Sequence, residues 1–553
     1  GGFASRGGAS GLAVTLEGGA DLNFSSADAG FNGNALQLGS PTADGLVTLT
    51  NNLNLENAEG VVQVADNPDS EQDAAEISGV VSSTAGGADV LTVTSENGGG
   101  AFDNGLLILS GANSMSKLRI EDASVAAEDG VGLPSGANLE LSGNDDGRPA
   151  VWVGNGTFNR NIGTGGGEVA WVAGADGGQG GGIGAYGGDL TLSLQGGAEL
   201  TWGSADSGFN GVDFQLGSNH SDGILTFTND VTGFNDANED TNRVMFTFGN
   251  PFSDNDDIVI TGDYVEGFLD FNVDGSASHV IFEGDVTASD DFRTRADATV
   301  LFNGVVSVEG SDGDVEAQGT SNMFINGGLT LTDDMDTDGE AGFGGNGTIT
   351  ALNEGSLVTV DTGGFLRPGP DLDAVGTLTV NLQFGADFRI QNDATYDMEF
   401  ANDGGLVNDS AMLDSDTFGS ELQLGPNEGD QWLLDLSAVG DLAGLVDAND
   451  EFDLFVWNDL VDLVADGANI SADLNGNGAG ELTNVVLSSD DFDVSGASVN
   501  YELENFDGRL FVTGLALTGA SPASAGVPEP STWALLAIGV GLVSWRRRRS
   551  ASA

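Results

Sequence analysis

Leu16-Glu17-Gly18-Gly19-Ala20-Asp21-Leu22 recurs, offset by 178, as Leu194-Gln195-Gly196-Gly197-Ala198-Glu199-Leu200. Ser26-Ala27-Asp28-Ala29-Gly30-Phe31-Asn32-Gly33 recurs at the same offset as Ser204-Ala205-Asp206-Ser207-Gly208-Phe209-Asn210-Gly211. The match continues from Gln37-Leu38-Gly39-Ser40 to Gln215-Leu216-Gly217-Ser218, and from Asp44-Gly45-Leu46-Val47-Thr48-Leu49-Thr50 to Asp222-Gly223-Ile224-Leu225-Thr226-Phe227-Thr228. A long unit has been duplicated, which points to an architecture that grows by stacking.

Within each unit, short alternating runs such as Leu12-Ala13-Val14-Thr15-Leu16, Leu46-Val47-Thr48-Leu49-Thr50 and Leu91-Thr92-Val93-Thr94 are separated by Gly, Asn and Asp. Period two bounded by turn residues specifies strands. Further on, Val280-Ile281-Phe282-Glu283-Gly284, Val300-Leu301-Phe302-Asn303-Gly304 and Met323-Phe324-Ile325-Asn326-Gly327 end on glycines 20 and then 23 residues apart. The interval from Gly284 to Gly304 and on to Gly327 suits one coil of a solenoid, and units that keep repeating without a closing count favour it over a closed barrel. The 88 glycines fit, because each coil turns sharply two or three times. Inward Val, Ile, Leu and Phe then stack rung on rung, while outward Thr, Ser, Asn and Asp meet water.

Leu109-Ser110-Gly111-Ala112-Asn113 and Leu133-Pro134-Ser135-Gly136-Ala137-Asn138-Leu139-Glu140-Leu141 resemble the autotransporter-associated β-strand repeat of large exported bacterial passengers. Gly156 to Gly165, Gly347-Thr348-Ile349, Gly364 to Pro370 and Gly376 to Val380 extend the likeness over most of residues 1 to about 385, and weakly to about 517. The resemblance implies an all-β fold, a right-handed parallel β-helix or related β-solenoid. The pattern departs after Ser110, where Ser114-Met115-Ser116-Lys117 stands in place of Thr and Gly, and the Pro528-Glu529-Pro530 tail stands where that resemblance leads one to expect a membrane β-barrel.

The chain divides into a first solenoid unit at 1–180, a second unit with continuing coils at 181–385, a terminal β-rich segment at 386–517, a linker at 518–530 and a tail at 531–553. Strands are expected in the terminal segment at Glu421–Leu424, Phe452–Trp457 and Leu510–Thr513, finishing the solenoid; a separate small β-sandwich is the competing expectation.

The tail has a different character. From Thr532 to Trp545 no side chain is ionisable, and these 14 residues make roughly 21 Å of helix. That is short for a hydrocarbon core of about 30 Å. Snorkelling arginines and flanking Trp533 and Trp545 make a thin transmembrane helix feasible, and the basic end stays cytoplasmic. The alternative is a buried core helix with a basic tail. Pro528-Glu529-Pro530, the apolar run and Arg546-Arg547-Arg548-Arg549, in that order, resemble the PEP-CTERM signal of exported bacterial proteins. The resemblance implies an exosortase-type processing enzyme as partner, acting near Pro528, Glu529 and Pro530. The body then lies outside the cytoplasm, so a chain that opens at Gly1 is expected to lack its N-terminal export signal.

Charge narrows the partners. The formal net charge is −71 with 86 acidic residues, Lys117 is the one lysine, and 11 basic residues remain outside the tail cluster. Such a surface repels nucleic acid and anionic lipid. With 39% hydrophobic residues the chain can nonetheless bury a long core. It has no cysteine, so disulfides and thiol chemistry are out of the account.

Candidate chemistry is sparse. Gly182-Ile183-Gly184-Ala185-Tyr186-Gly187 satisfies GxGxxG, but its counterpart from Gly2 to Gly7 lacks the second glycine and no helical pattern follows. No cofactor is expected, and calcium is the one metal for which the chain offers ligands. Asp334, Asp336, Asp338 and Gly339 open like an EF-hand loop whose twelfth position is Gly345; Asp473, Asn475, Asn477 and Gly478 do so with Asn484. Both lack the bidentate glutamate, and an acidic loop without a fixed ion is the simpler reading. His220 and His279 lack metal-ligand spacing, and His220 reads as a turn residue. Asp256-Asp257, Asp290-Asp291 and Asp490-Asp491 are the acid pairs a β-helix polysaccharide lyase or hydrolase would need, although adjacent acids on a strand point to opposite faces.

The expected protein is therefore a non-enzymatic structural or adhesive one, held transiently at the inner membrane, processed, and delivered to the cell surface or an exopolysaccharide matrix. Matrix polysaccharide is its expected partner, and a carbohydrate-active enzyme is the alternative.

Overall fold

The computed structural model describes residues 2–517 except 8–10, 25–33, 57–58, 68, 71, 84–88, 96–104, 144–149, 173–179, 202–213, 235–244, 249–256, 267–268, 275–278, 290, 297–298, 311–312, 354, 373, 403–405, 416–419, 440–441, 443–444, 447–448, 459–461, 471–477, 490 and 505–506. The described residues are all-β, with single 3-10 turns at Glu17–Gly19 and Gln195–Gly197. No helix among them is long and apolar enough to cross a membrane; the expected span from Thr532 lies outside the described residues.

Residues 315–351 show how the sequence makes a coil. Val315–Gly319, Asn322–Ile325 and Gly328–Leu331 form the three sides of one coil, and Met335–Gly339, Gly342–Gly345 and Thr348–Ala351 those of the next. Each strand pairs in parallel with its equivalent in the following coil, Val315 opposite Met335, Asn322 opposite Gly342 and Gly328 opposite Thr348. Alternation sends Val315, Ala317, Met323, Ile325, Leu329 and Leu331 inward, all at most 1% exposed. The next coil covers that row with its own, so the core is a continuous column. Stacked aromatics run through it, Phe282 on Phe302 at 5.1 Å and 15°, with Phe292 edge-on to Phe302 at 5.2 Å.

Four long ladders result. Ladder one runs from Gly2–Phe3 through Leu36–Leu38, Glu59–Val64, Val90–Ser95, Lys117–Glu121 and Asn138–Leu141 to Glu168–Trp171. Ladder two starts at Leu12–Val14 and Val47–Leu49 and reaches Asp462–Ala465. Ladder three begins within Ala150–Ile162 and ends at Val485–Ser489. Ladder four runs from Leu200–Thr201 to Glu451–Asn458. A short fifth joins Leu22–Asn23, Leu53–Asn54 and Val81–Ser82.

The duplicated units do not stack in phase. Leu36–Leu38 lies in ladder one, yet its counterpart Phe214–Gly217 lies in ladder two. Val47–Leu49 lies in ladder two and its counterpart Leu225–Phe227 in ladder three. Leu53–Asn54 belongs to the short ladder and its counterpart Val231–Phe234 to ladder four. The second copy is thus displaced by one side of the coil. The shift occurs at the paired strands Ala150–Ile162 and Gly181–Leu194, each long enough to serve two sides, with a register shift between Gly154 and Gly156.

A column of glycines fixes the corner between ladders three and four. A Cβ built on Gly262, Gly284, Gly304 or Gly327 would lie 2.0–2.2 Å from a carbonyl oxygen of the preceding coil. Only glycine allows that approach. Gly304→Ala is expected to lower the unfolding free energy by about 3 kcal/mol, because the rigid backbone of Gly284 cannot yield. Gly136→Ala, where a Cβ meets nothing within 4 Å, is expected to stay within about 0.5 kcal/mol of the parent in the same urea titration.

After residue 386 the parallel ladders continue through Asp387–Ile390 and Glu421–Leu424 to Asp462–Ala465. Ladder four then turns antiparallel, Glu451–Asn458 pairing with Asp507–Thr513, that strand with Ser498–Glu504, and that with Gly478–Leu482. Phe455 packs edge-on against Tyr396 at 5.1 Å, and the buried Tyr396 hydroxyl donates to the Leu454 carbonyl. Antiparallel strands accept no further coil in the same sense, so they close this end of the stack.

Candidate functional site

Asp334, Asp336 and Asp338 stand on and just before a strand, Met335–Gly339, and not in a loop. Met335 and Thr337 are buried, so burial of this alternation overrides the turn preference of Asp and Gly. The three carboxylates therefore line one face at i, i+2 and i+4, spread over about 13 Å of extended chain. Calcium takes about six to eight oxygens around one point. Among the described residues no group of three or more acids and histidines closes on one point in that way. Asp473, Asn475 and Asn477 lie outside the described residues, as do Pro528, Glu529, Pro530 and Arg546 to Arg549.

What the run builds instead is an acidic side of the solenoid, on ladder two. The Oδ1 atoms of Asp291, Asp314 and Asp334 accept the backbone N–H of Asp314, Asp334 and Leu357 respectively, at 3.1, 3.3 and 2.7 Å. One carboxylate per coil thus ties itself to the next coil, and Asp387 repeats the contact to the Glu421 N–H at 2.9 Å. A second row, Glu316, Asp336, Thr359, Arg389 and Gln423, stacks beside it in register. Like charges one rung apart are held about 5 Å from each other. Burial, and then repulsion from Glu316, Asp361, Asp314 and Asp334, pushes the Asp336 carboxyl up to about 7. Burial likewise raises Asp314 and Asp387 to about 6.

The same tie recurs on ladder four, where Asp230, Asp263 and Asp285 accept from Asp263, Asp285 and Val305 N–H groups at 2.8–2.9 Å. On ladder one two of the scarce cations share a carboxylate. Lys117 donates to Glu140, and Arg119 Nε donates to Glu140 at 2.5 Å. Burial pushes Glu140 up, but those bonds more than offset it and hold the carboxyl below its usual range. Arg160, its side chain 3% exposed, pairs with Asp129 at 2.5 Å and donates to the Ala137 and Pro134 carbonyls.

The remaining sequence candidates fall apart as sites. Gly182 and Gly184 are buried in the strand Gly181–Leu194, where a Cβ on Gly184 would meet Ser221 Oγ at 2.8 Å; these glycines serve close packing and leave no cradle for a phosphate. His220 lies in a turn, its N–H donating to Ser218 Oγ at 3.2 Å. His279 Nδ1 lies 3.2 Å from Asp257 Oδ1, and hydrogen bonding from His279 lowers the Asp257 pKa. Asp256, Asp290 and Asp490 are outside the described residues. Of their neighbours, Asp291 belongs to the coil tie and Asp491 accepts the Ala438 N–H at 3.0 Å.

One side went unnoticed in the sequence. On ladder four, Val305, Gly328, Thr348, Thr379 and Met412 form one outward row, and Ser307, Thr330, Thr350 and Asn381 the row beside it, before Asp414 ends the run. Neither row carries a charge up to that point. Thr348-Ile349-Thr350 and Thr377-Leu378-Thr379, hydroxyls at i and i+2 around a buried aliphatic, were the available signal.

These stacked parallel coils, with antiparallel strands at one end, define a β-solenoid protein. Residues 526–549 match the PEP-CTERM protein-sorting motif, which marks the chain for export to the cell envelope and for an exosortase-type processing enzyme. No curated protein matches the chain in sequence. Among solved structures, the crystal structure of the Haemophilus influenzae Hap adhesin shows 10% identity and a TM-score of 0.15, over 91% of this chain and 64% of the adhesin.

Proposed function

We propose that the protein is an envelope-sorted surface protein with a structural or adhesive role in an extracellular polysaccharide matrix. The sorting motif joined to a long solenoid carries this reading. Its surface is a set of extended sides, suited to many weak contacts whose sum holds a polymer by avidity. The inner membrane holds the precursor transiently, and cleavage near Pro528-Glu529-Pro530 releases the body. Catalysis is not part of the proposal. A β-helix lyase acting on an acidic polymer needs a cation beside its acid pair; Lys117, Arg119, Arg160, Arg293, Arg367 and Arg509 are paired with carboxylates, Arg389 donates to Gln423, and Arg6 lies just before a bend near the chain start. Calcium bridging between matrix acids and ladder two would add to the adhesion without a fixed site in the protein.

Intact mass of the native protein from membranes and from the surface or medium fraction tests the proposal. A surface form ending near Pro530, without the arginine cluster, is the expected result. An uncut chain confined to the membrane would overturn it.

A further inference from the structure

The uncharged side on ladder four ends at an unusual corner. The turn from Gln383 to Ala386, closed by the Ala386 N–H donating to the Gln383 carbonyl at 3.1 Å, puts Phe384 at φ +56° and Gly385 at φ +83°. Among the described residues, three other turns have the same pair of positive φ values, at Glu17-Gly18, Gln195-Gly196 and Asp466-Gly467. All three put a polar residue where this one puts phenylalanine. A bulky side chain in the left-handed region is strained, and such strain persists where something other than folding selects it. Phe384 is also 56% exposed, so no packing gain accounts for it. It lies two residues past Leu382, the end of the strand that carries Thr379 and Asn381, at the rim of the threonine rows.

The rows themselves are unengaged. Thr330, Thr348, Thr350 and Thr379 are partly exposed, and among the described residues their hydroxyls bond to no other group of the protein. The parallel pairings beneath them, from Val305–Val308 to Thr377–Leu382, show no register shift, so the side is regular. Val305 at 47% and Met412 at 36% exposure add apolar area at its two ends.

Size and charge select the occupant. Five rungs at about 4.8 Å make a strip about 19 Å long, and with a width of about 10 Å it offers about 200 Å², against the roughly 800 Å² per partner of a stable protein interface. A second copy or another globular protein is therefore a poor fit. A polyanion is repelled by a chain of net charge −71. A neutral polymer rich in hydroxyls fits both limits. In an extended polysaccharide each ring advances by about one rung, so successive sugars meet successive threonine pairs, and an exposed phenyl face can stack on a ring.

We infer that the side formed by Val305–Val308, Gly328–Leu331, Thr348–Ala351 and Thr377–Leu382, ending at Met412 on the next rung and with Phe384 at its corner, is a docking strip for a neutral polysaccharide strand. This rests on the matrix reading above and names its ligand class and contact residues.

Retention of the full chain on swollen cellulose, amylose, cross-linked dextran and mannan, and on alginate with calcium or with chelator, tests the inference. Retention by at least one neutral polymer, insensitive to chelator and high salt, is expected. The double variant Thr330→Glu/Thr350→Glu is expected to weaken it at least about tenfold, as loss of a central contact does, with unchanged circular dichroism. Phe384→Asn is expected to weaken retention while raising the melting temperature, because asparagine tolerates the left-handed turn; a merely structural phenylalanine would move only the second quantity. Failure on all four neutral polymers, or equal retention of both variants, overturns the strip. Capture by alginate with calcium alone, equal in parent and variants, also overturns it and leaves the matrix proposal standing.

Discussion

Replacing Asn229 by alanine should lower the unfolding free energy by about 4 kcal/mol, from two buried bonds and one part-buried bond, partly recovered by relaxation. The side chain is 0% exposed. Its Oδ1 accepts the Leu194 N–H at 2.8 Å, and its Nδ2 donates to the Leu194 and Ala198 carbonyls at 2.8 and 2.6 Å. These contacts clamp the turn Gln195–Gly197 against the following coil. Alanine would leave the Leu194 N–H and carbonyl buried without their partner and turn the exposed Ala198 carbonyl to water. Asn51 makes the same three bonds to Leu16 and Ala20 in the first copy, at 2.7–2.9 Å, so Asn51→Ala should lose a similar amount. Urea titration of each variant reads the loss directly. A change below about 1 kcal/mol would show that the turn repacks without its staple.

The second large effect is of pH. Burial pushes the Asp409 carboxyl up to about 8, with Glu399 and Asp397 adding repulsion, and burial raises Asp73 to about 6 alongside Asp314, Asp387 and Asp336. A carboxyl whose folded pKa lies above its unfolded value binds its proton more tightly in the folded state. Its contribution is complete below the unfolded value near 4 and is lost as pH rises through the folded pKa. Stability should therefore fall from about pH 4 to about pH 8, by several kcal/mol in total, since a tenfold difference in proton affinity is worth about 1.4 kcal/mol and the part-exposed groups are screened. Glu140 and Asp257, both lowered, act in the opposite sense and remove stability as the solution becomes more acid than that window. Thermal melts across the range should trace a maximum on the acid side of neutrality. Asp336→Asn, which removes a charge facing four carboxylates, should raise the melting temperature at pH 8 and flatten the profile; an unchanged profile would mean that the acidic side is fully solvated.

Much of the fold was legible because the repeat and its period are local properties of the chain. The glycines at 284, 304 and 327 mark successive coils, and the strand Glu421–Leu424 is legible to the residue. The displacement of the second copy was not legible, because an offset along the chain says nothing about which side a strand occupies. It depends on two strands of 13 and 14 residues that each span a corner. Asn51 and Asn229 sit one position past the matched segments, and the role of Asn51 comes from a turn 31 to 35 residues away. The acidic run misled for a physical reason: Asp and Gly favour turns, but alternate residues with a core to fill impose extension. The sorting address could be read because its three parts are contiguous. The threonine rows could not, because each member lies on a different coil and only coiling gathers them.

The one-side displacement of the duplicated unit has a mechanical meaning. Two copies stacked in phase would show a repeated surface along a single line, like teeth on one edge of a comb. Here the equivalent strands face different directions about the axis, so a partner that recognises a feature common to both copies approaches each from its own direction. Under the matrix role proposed above, one molecule would join two strands of a network at an angle and act as a junction, not as a single hook.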